Sequence, residues 1–461
     1  MMQPRVIAEE ILATFEDPRN GSGPMWCRGS PTIVRDGGRV FASVPETGKD
    51  VPPLCNTRWQ LFCREDGARW QRVQVNPRFD EREPCPLMRL PGGRIVLSVN
   101  TAVSVRSEDK DGRKGYTCEP GLLEFGAADP TRPPTVLKPR WDRNYEFFEH
   151  SYRGCAADGS TGEILVLHQV LDADASRATG SSIYSLAWSY RDAAGEWSRQ
   201  GLLRFPVRGC YPLVALRGRA AYVVAVSDVV EPNAEWRAFK KEVTGREWDY
   251  DVRQLFFTWT PDITHVDFSP PLTFASRDDT AGFLLANDMW VAPDGDVHVV
   301  YVDRNVWHAF LRDRFFPGLP ITVALRYCRI RQGLVVERRT LVECVEDRTT
   351  SAQGAKGKEV VTFRSGHLWV SSAVLHATPD GRLFVLYHAA AQGGSPEATG
   401  NYVLPLYPPS TQPPVKLPLR HPIKQLFAAT QRLGTPASDV IDIYGIGAEE
   451  GVIRYAQVRL R

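Results

Sequence analysis

The sequence predicts an all-β fold, a seven-bladed β-propeller of four-stranded antiparallel blades. One supersecondary unit recurs along the chain: Met289 to Arg304 (MWVAPDGDVHVVYVDR) reads as an alternating strand, a Pro-Asp-Gly turn and a second alternating strand, which is a β-hairpin. The same shape returns in PTIVRDGGRVFASV from Pro31, CPLMRLPGGRIVLSV from Cys85, CAADGSTGEILVLHQV from Cys155, YPLVALRGRAAYVVAV from Tyr211 and SSAVLHATPDGRLFVLYHA from Ser371. Each hairpin is followed by one or two further strand-like runs. A last unit, Leu426 to Arg432, Val440 to Tyr444 and Val452 to Leu460, lacks a fourth strand, while the alternating run at residues 5–15 has no hairpin partner of its own.

Taken in order, the first unit continues with Trp59 to Glu65 and Trp70 to Val75, and the second with Leu122 to Phe125 and Thr135 to Leu137. The third adds Leu186 to Arg191 and Trp197 to Phe205. The fourth adds Gln254 to Thr260 and a weak run near Leu272. The fifth adds Ala324 to Ile330 and Val335 to Val342, and the sixth Asn401 to Tyr407 and Val415 to Leu419. The N-terminal strand is assigned as the outer strand of the seventh unit, closing the ring and removing an exposed edge. A helix over Ile7 to Phe15 is the alternative for that segment. All 461 residues are thereby read as one propeller domain.

Composition supplies the material and narrows the partners. Hydrophobic residues make up 43% of the chain and aromatic residues 10%, enough for a continuous core. A formal net charge of +2 gives no field that would favour nucleic acid or an anionic membrane. No window is long and apolar enough to span a bilayer, and MMQPRVIAEEILATFEDPRN has no signal-peptide h-region, so the expected location is cytoplasmic. Nine irregularly spaced cysteines without a CxxC pair imply neither a zinc site nor a disulfide framework, and no cofactor is called for.

Turn lengths give the ring two faces. Connections between the first and second strand of each unit are short and Gly-rich, whereas those after the second strand are long in blades one to five. In an up-and-down blade the long loops share a face with the starts of the innermost strands, and that is the functional face. Two long connections, around Trp236 and Phe239 in blade four and Trp307 and Phe310 in blade five, space their aromatics as helices do, and these rings are read as docking the helical insertions onto the propeller.

Residues at the starts of innermost strands converge on the ring centre from different blades. The densest cluster is Glu149-His150-Ser151-Tyr152-Arg153. In an extended strand His150 and Tyr152 share one face, a pairing that can supply a base and an acid, while Glu149, Ser151 and Arg153 share the other. A buried salt bridge of Arg153 with a carboxylate is the alternative for that cluster. Arg28, Arg82 and Arg153 arrive from consecutive blades and could clamp an anionic sugar, since guanidinium pairs bidentately with carboxylate; each could instead pair with an internal acid. Glu83, Glu149 and Asp288 are candidate carboxylates for acid or base work, and Trp26, Trp369 and His367 are placed to contact sugar rings.

With the turns APDGDVHVVYVD, ATPDGRLFVLYHA and SYRDAAGEWS, and the strand starts HSYRG at His150 and CYPLVAL at Cys210, the chain resembles BNR-repeat, sialidase-like propellers of the BNR-4 type, which include polysaccharide lyases and exo-acting glycosidases. The resemblance implies a carbohydrate-active enzyme cleaving an acidic, uronate-type oligosaccharide, with lyase chemistry ahead of sialidase-like hydrolysis. It also implies that His150 is the base, Tyr152 or Tyr211 the acid and Arg153 the group that neutralises the uronate. Neither a FRIP-like segment nor sharp Asp boxes are intact. The rival from another class is a non-catalytic propeller that binds a glycan or a protein on the same face.

Overall fold

The computed structural model describes residues 3–26, 29–109, 112–246, 250–348, 352–353, 359–360, 368–391 and 396–460. Seven antiparallel sheets succeed one another around a ring, and each innermost strand lies against the next, that of blade seven touching that of blade one. From the inside outward, blade one is Ile33–Asp36, Arg39–Thr47, Thr57–Glu65 and Gln71–Val75, and blade two is Leu87–Leu90, Arg94–Glu108, Lys114–Gly126 and Thr135–Leu137. Blade three is Gly154–Ala157, Ile164–Leu171, Tyr184–Arg191 and Trp197–Leu203. Blade four is Gly209–Arg217, Ala220–Ser227, Gln254–Thr260 and Leu272–Ser276. Blades five and six are Phe283–Val291, Val297–Arg304, Thr322–Arg331, Leu334–Val345 and Leu368–Ala377, Leu383–Ala391, Gly400–Tyr407, Val415–Lys416.

Blade seven is Gln425–Ala428, Val440–Ile446, Val452–Arg459 and, outermost, the N-terminal strand Arg5–Thr14, registered from Arg5 opposite Arg459 to Thr14 opposite Val452. The apolar spacing of Ile7, Ile11 and Phe15 suits a helix equally well. The unpaired edge of Val452–Arg459 decides the matter, because pairing satisfies a row of backbone groups that a helix would leave open.

Each blade is covered on both faces, so alternate residues of one strand feed two different apolar layers. In Val297–Arg304, Val297, Val299 and Tyr301 pack toward blade four with Leu213 and Phe257, while Val300 packs toward blade six with Val385 and Tyr387. This double coverage explains why VHVVYV is apolar at nearly every position. Fully burying each such side chain contributes about 1.5–3 kcal/mol.

Among the described residues the long connections hold three α-helices: α1 (Ala173–Thr179) in blade three, α2 (Ala234–Thr244) in blade four and α3 (Ala309–Phe315) in blade five. Asp172 caps α1 and Asn233 caps α2 through their side-chain oxygens. Trp236 and Phe239 of α2 pack against Phe310, Phe315 and Phe316, so the rings dock the helices to one another. Trp307 precedes α3 and stacks on Phe283 at 3.9 Å.

The hub is filled with ion pairs. Arg153, 2% exposed, reaches inward from blade three to Glu81 Oε2 at 3.3 Å and to the carbonyls of Glu83 and Pro84 at 2.9 and 3.1 Å. Arg432 of blade seven meets Asp288 Oδ1 at 3.0 Å and also donates to the Gly29 carbonyl. Blade seven breaks the rule of short first connections. Its innermost strand ends at Ala428, and the chain then crosses the hub: Leu433 O accepts from Arg89 N at 2.8 Å, Arg432 O accepts from Ala157 N at 3.0 Å, and Thr435 Oγ1 accepts from Arg35 N at 3.1 Å. Gly434 has φ +85° and lies so close to the Arg89 carbonyl that a Cβ would collide with it, so only glycine fits.

Candidate active site

The cleft of this face opens to one side of the hub, above blades two, three and four. It encloses about 530 Å³. One wall is the chain running into blade three, residues 143–150; the other is formed by Tyr184, Arg208 and Tyr250, with Arg106 of the blade-two hairpin at the rim. That hairpin is far longer than the run Leu122 to Phe125 suggests, since Arg94–Glu108 and Lys114–Gly126 stay paired out to Glu108 opposite Lys114.

Residues 149–153 form no strand. Tyr152 has φ +39°, and this left-handed turn brings Glu149, His150 and Tyr152 together on the cleft while Ser151 and Arg153 point to the hub. Glu149, expected on the opposite face from His150, is its partner: Nδ1 of His150 lies 3.1 Å from Glu149 Oε1, and Glu149 Oε2 accepts the Tyr116 N–H at 2.8 Å. Burial raises the Glu149 carboxyl, but the hydrogen bonds from His150 and Tyr116 outweigh it and hold the group below its ordinary value, ionised near neutrality. An ionised carboxylate only accepts, so His150 donates from Nδ1 and keeps the Nε2 lone pair for a proton. The His150 side chain is 36% exposed and Glu149 only 4%, an accessible base on a buried support.

Tyr152 lies beside this pair, its ring centroid 6.3 Å from that of His150. Burial raises its phenol, as do Cys210 and Asp228 nearby, and Arg208 only partly opposes them, so the hydroxyl keeps its proton at neutral pH. Arg208 sits over three tyrosine rings, Tyr250 at 5.1 Å, Tyr152 at 5.6 Å and Tyr184 at 5.8 Å, and pairs with Asp228 at 2.7 Å. Arg106, by contrast, is exposed, meets the Phe148 ring at 5.6 Å and makes no ion pair among the described residues.

The other expected residues fall elsewhere. Arg28 and His367 lie outside the described residues. Arg153 does not reach the cleft, because the hub carbonyls and Glu81 take up its guanidinium. Glu83 is buried between Arg82 Nη1 at 3.0 Å and Ser151 Oγ at 2.6 Å, and Asp288 is spent on Arg432 and the backbone N–H groups of Met289 and Leu375. Both carboxylates are turned to hub partners, and neither lines the cleft. Tyr211, at φ +50°, and Trp26 form an aromatic triangle with Tyr152 behind the cleft, Tyr211 lying 5.0 Å from Tyr152 and 5.6 Å from Trp26. Arg82 is over Trp26 at 5.8 Å and borders a second cavity rather than this one. Trp369, in blade six, packs with the α2 and α3 aromatics under Arg304.

Sequence reasoning missed Arg106, Arg208, Tyr184 and Tyr250. Arg208 lies two residues before Cys210, at the start of the innermost blade-four strand, and Arg106 sits in an alternating run whose length signals the projecting hairpin. Among the described residues no three His, Cys, Asp or Glu side chains cluster to hold a metal, eight cysteines are free, and no helix is long and apolar enough to cross a membrane.

No family model and no curated protein matches the chain. Among solved structures it is similar to a protein of unknown function from Dyadobacter fermentans, with 12% identity, 99% of each chain covered and a TM-score of 0.45. It is also similar to an α-L-arabinofuranosidase of Fusarium graminearum in complex with an iminosugar inhibitor, with 11% identity, 81% of this chain and 91% of that one covered, and a TM-score of 0.39. A third is Trypanosoma rangeli sialidase in complex with the inhibitor DANA, with 11% identity, 85% and 58% covered, and a TM-score of 0.38.

Proposed function

We propose that the protein cleaves glycosidic bonds of an acidic, uronate-type oligosaccharide by β-elimination, in the manner of the BNR-4-type lyases its sequence resembles. The observation that carries this reading is the half-exposed His150, oriented by the buried, ionised Glu149 on a cleft lined with tyrosines and arginines. Tyrosine faces suit sugar rings, and a cleft of this volume is in the range of ligand sites. Arg106 takes the carboxylate of the sugar, the role expected of Arg28, Arg82 and Arg153. Neutralising that carboxylate acidifies the adjacent C–H. His150 Nε2 removes this proton, the released electron pair forms the C=C bond, and the bond to the glycosidic oxygen breaks as that oxygen takes the proton of the Tyr152 hydroxyl. Arg208, stacked on Tyr152, stabilises the phenolate that remains.

Hydrolysis by paired carboxylates is disfavoured because Glu83 and Asp288 are locked into hub interactions. The test is ultraviolet absorbance during incubation with a panel of uronate oligosaccharides. Absorbance of an unsaturated product that is lost in His150→Ala supports the reading. New reducing ends without absorbance would replace it with hydrolysis, and binding without either product would leave a glycan-binding propeller.

A further inference from the structure

A second cavity, about 590 Å³, lies on the far side of the Glu149–His150 pair and shares Glu149, His150 and Arg106 with the first. Its walls differ in character. Where the first lobe presents Tyr145, Tyr184 and Tyr250, the second presents Arg19, Arg82 and Arg113, with Arg106 at the junction. Arg19, Arg106 and Arg113 make no ion pair among the described residues, although Glu108 and Asp109 stand on the same wall. Their guanidinium groups are open to an incoming anion.

The wall between solvent and this second lobe is the blade-two hairpin. Its arms are 15 and 13 residues long, while the second strands of the other blades run 7 to 9 residues. The hairpin is braced against blade one, Lys114 N donating to Pro53 O at 2.9 Å and Leu54 N to Lys114 O at 3.3 Å. The same arm supplies the Tyr116 N–H that holds Glu149. One element thus both supports the base and shapes the space beyond it.

We infer that the substrate is a polyanionic sugar chain that passes over the Glu149–His150 pair, with sugars in the tyrosine lobe on one side and carboxylates in the arginine lobe on the other, so that the chain is cut internally. This rests on the proposed lyase reading and adds the length and mode of the substrate. A site that trims chain ends needs one closed lobe; here the pair stands between two open ones.

The experiment uses ladders of two to eight sugars prepared from polygalacturonate, alginate and hyaluronate, titrated calorimetrically into the His150→Ala protein, with product sizes followed in the wild type. Expected are affinity that rises about tenfold or more from the shortest to the longest member of one ladder, loss of that gain in the Arg19→Gln/Arg113→Gln double variant with unchanged binding of the shortest member, and wild-type products of intermediate length appearing first. Thermal melting of the double variant establishes that it folds; should it not, the salt dependence of the length gain in the His150→Ala protein is read instead, and a gain indifferent to salt overturns the inference. Cleavage that releases only terminal units, or affinity that is flat with length, overturns the inference while leaving the lyase reading standing. Absence of both binding and cleavage across all three ladders overturns both.

Discussion

Arg153, at the hub, is 2% exposed and bound to Glu81 and three backbone carbonyls, whereas Arg106, on the projecting hairpin, is exposed and meets only the Phe148 ring among the described residues. The same contrast separates the carboxylates. Asp288 is held by Arg432 and two backbone N–H groups inside the ring, while Glu149 spends its oxygens on one backbone N–H and on a histidine that stays accessible. A charge inside the ring must be paired or it costs several kcal/mol, so the hub turns its ionic groups into ties between blades. At the cleft water solvates the charge, and the same group remains available to a ligand.

Exchanging the two regions in one pair of variants gives the sharpest break. His150→Ala should lower turnover roughly 10²–10⁴-fold by removing the base, at a stability cost of about 1–3 kcal/mol as the buried Glu149 loses one of its two donors, read by product absorbance and urea unfolding. Arg153→Ala should do the reverse, destabilising the ring by about 3–5 kcal/mol because Glu81 and the carbonyls of Ser98, Glu83 and Pro84 lose their shared buried donor. A catalytically dead but fully stable Arg153→Ala protein would erase the distinction.

Gly434→Ala tests whether the hub crossing is as tight as the geometry requires. With a positive φ and a collision against the Arg89 carbonyl, the added methyl should cost about 2–3 kcal/mol in urea unfolding. Buried histidines give a smaller effect. Burial depresses His388 to about 4, so below the ordinary 6.5 the unfolded chain takes up a proton that the folded protein refuses, and stability is lost as pH falls from about 6.5 to about 4. Burial pushes Glu81 and Asp251 up to about 7, and these work in the opposite sense, so comparison with His388→Gln isolates the histidine. The variant should gain on the wild type by on the order of 2 kcal/mol between pH 7 and pH 4. Smallest of all, Trp369→Ala should leave turnover within about twofold, because that ring belongs to the α2 and α3 cluster and not to the cleft.

The blades were legible because their signals are local. Alternation and Gly-containing turns such as Pro293-Asp294-Gly295 specify a hairpin within sixteen residues, and seven such units leave one missing strand for the N-terminal segment to fill. His150 and Tyr152 could be singled out for the same reason, as a dense polar cluster before a strand. Which acid each arginine meets was not legible. Arg153 and Glu81 are 72 residues apart and Arg432 and Asp288 144 apart, so their pairing depends on ring closure and on the blade-seven crossing, which no local pattern announces. Sequence by itself determined the repeating unit and the residue types near the ring's upper face. Tertiary structure alone decided which charges are buried and paired and which stay open, because the free energy of a charge is set by its distance from water and from its partner, and both distances exist only after the ring has closed.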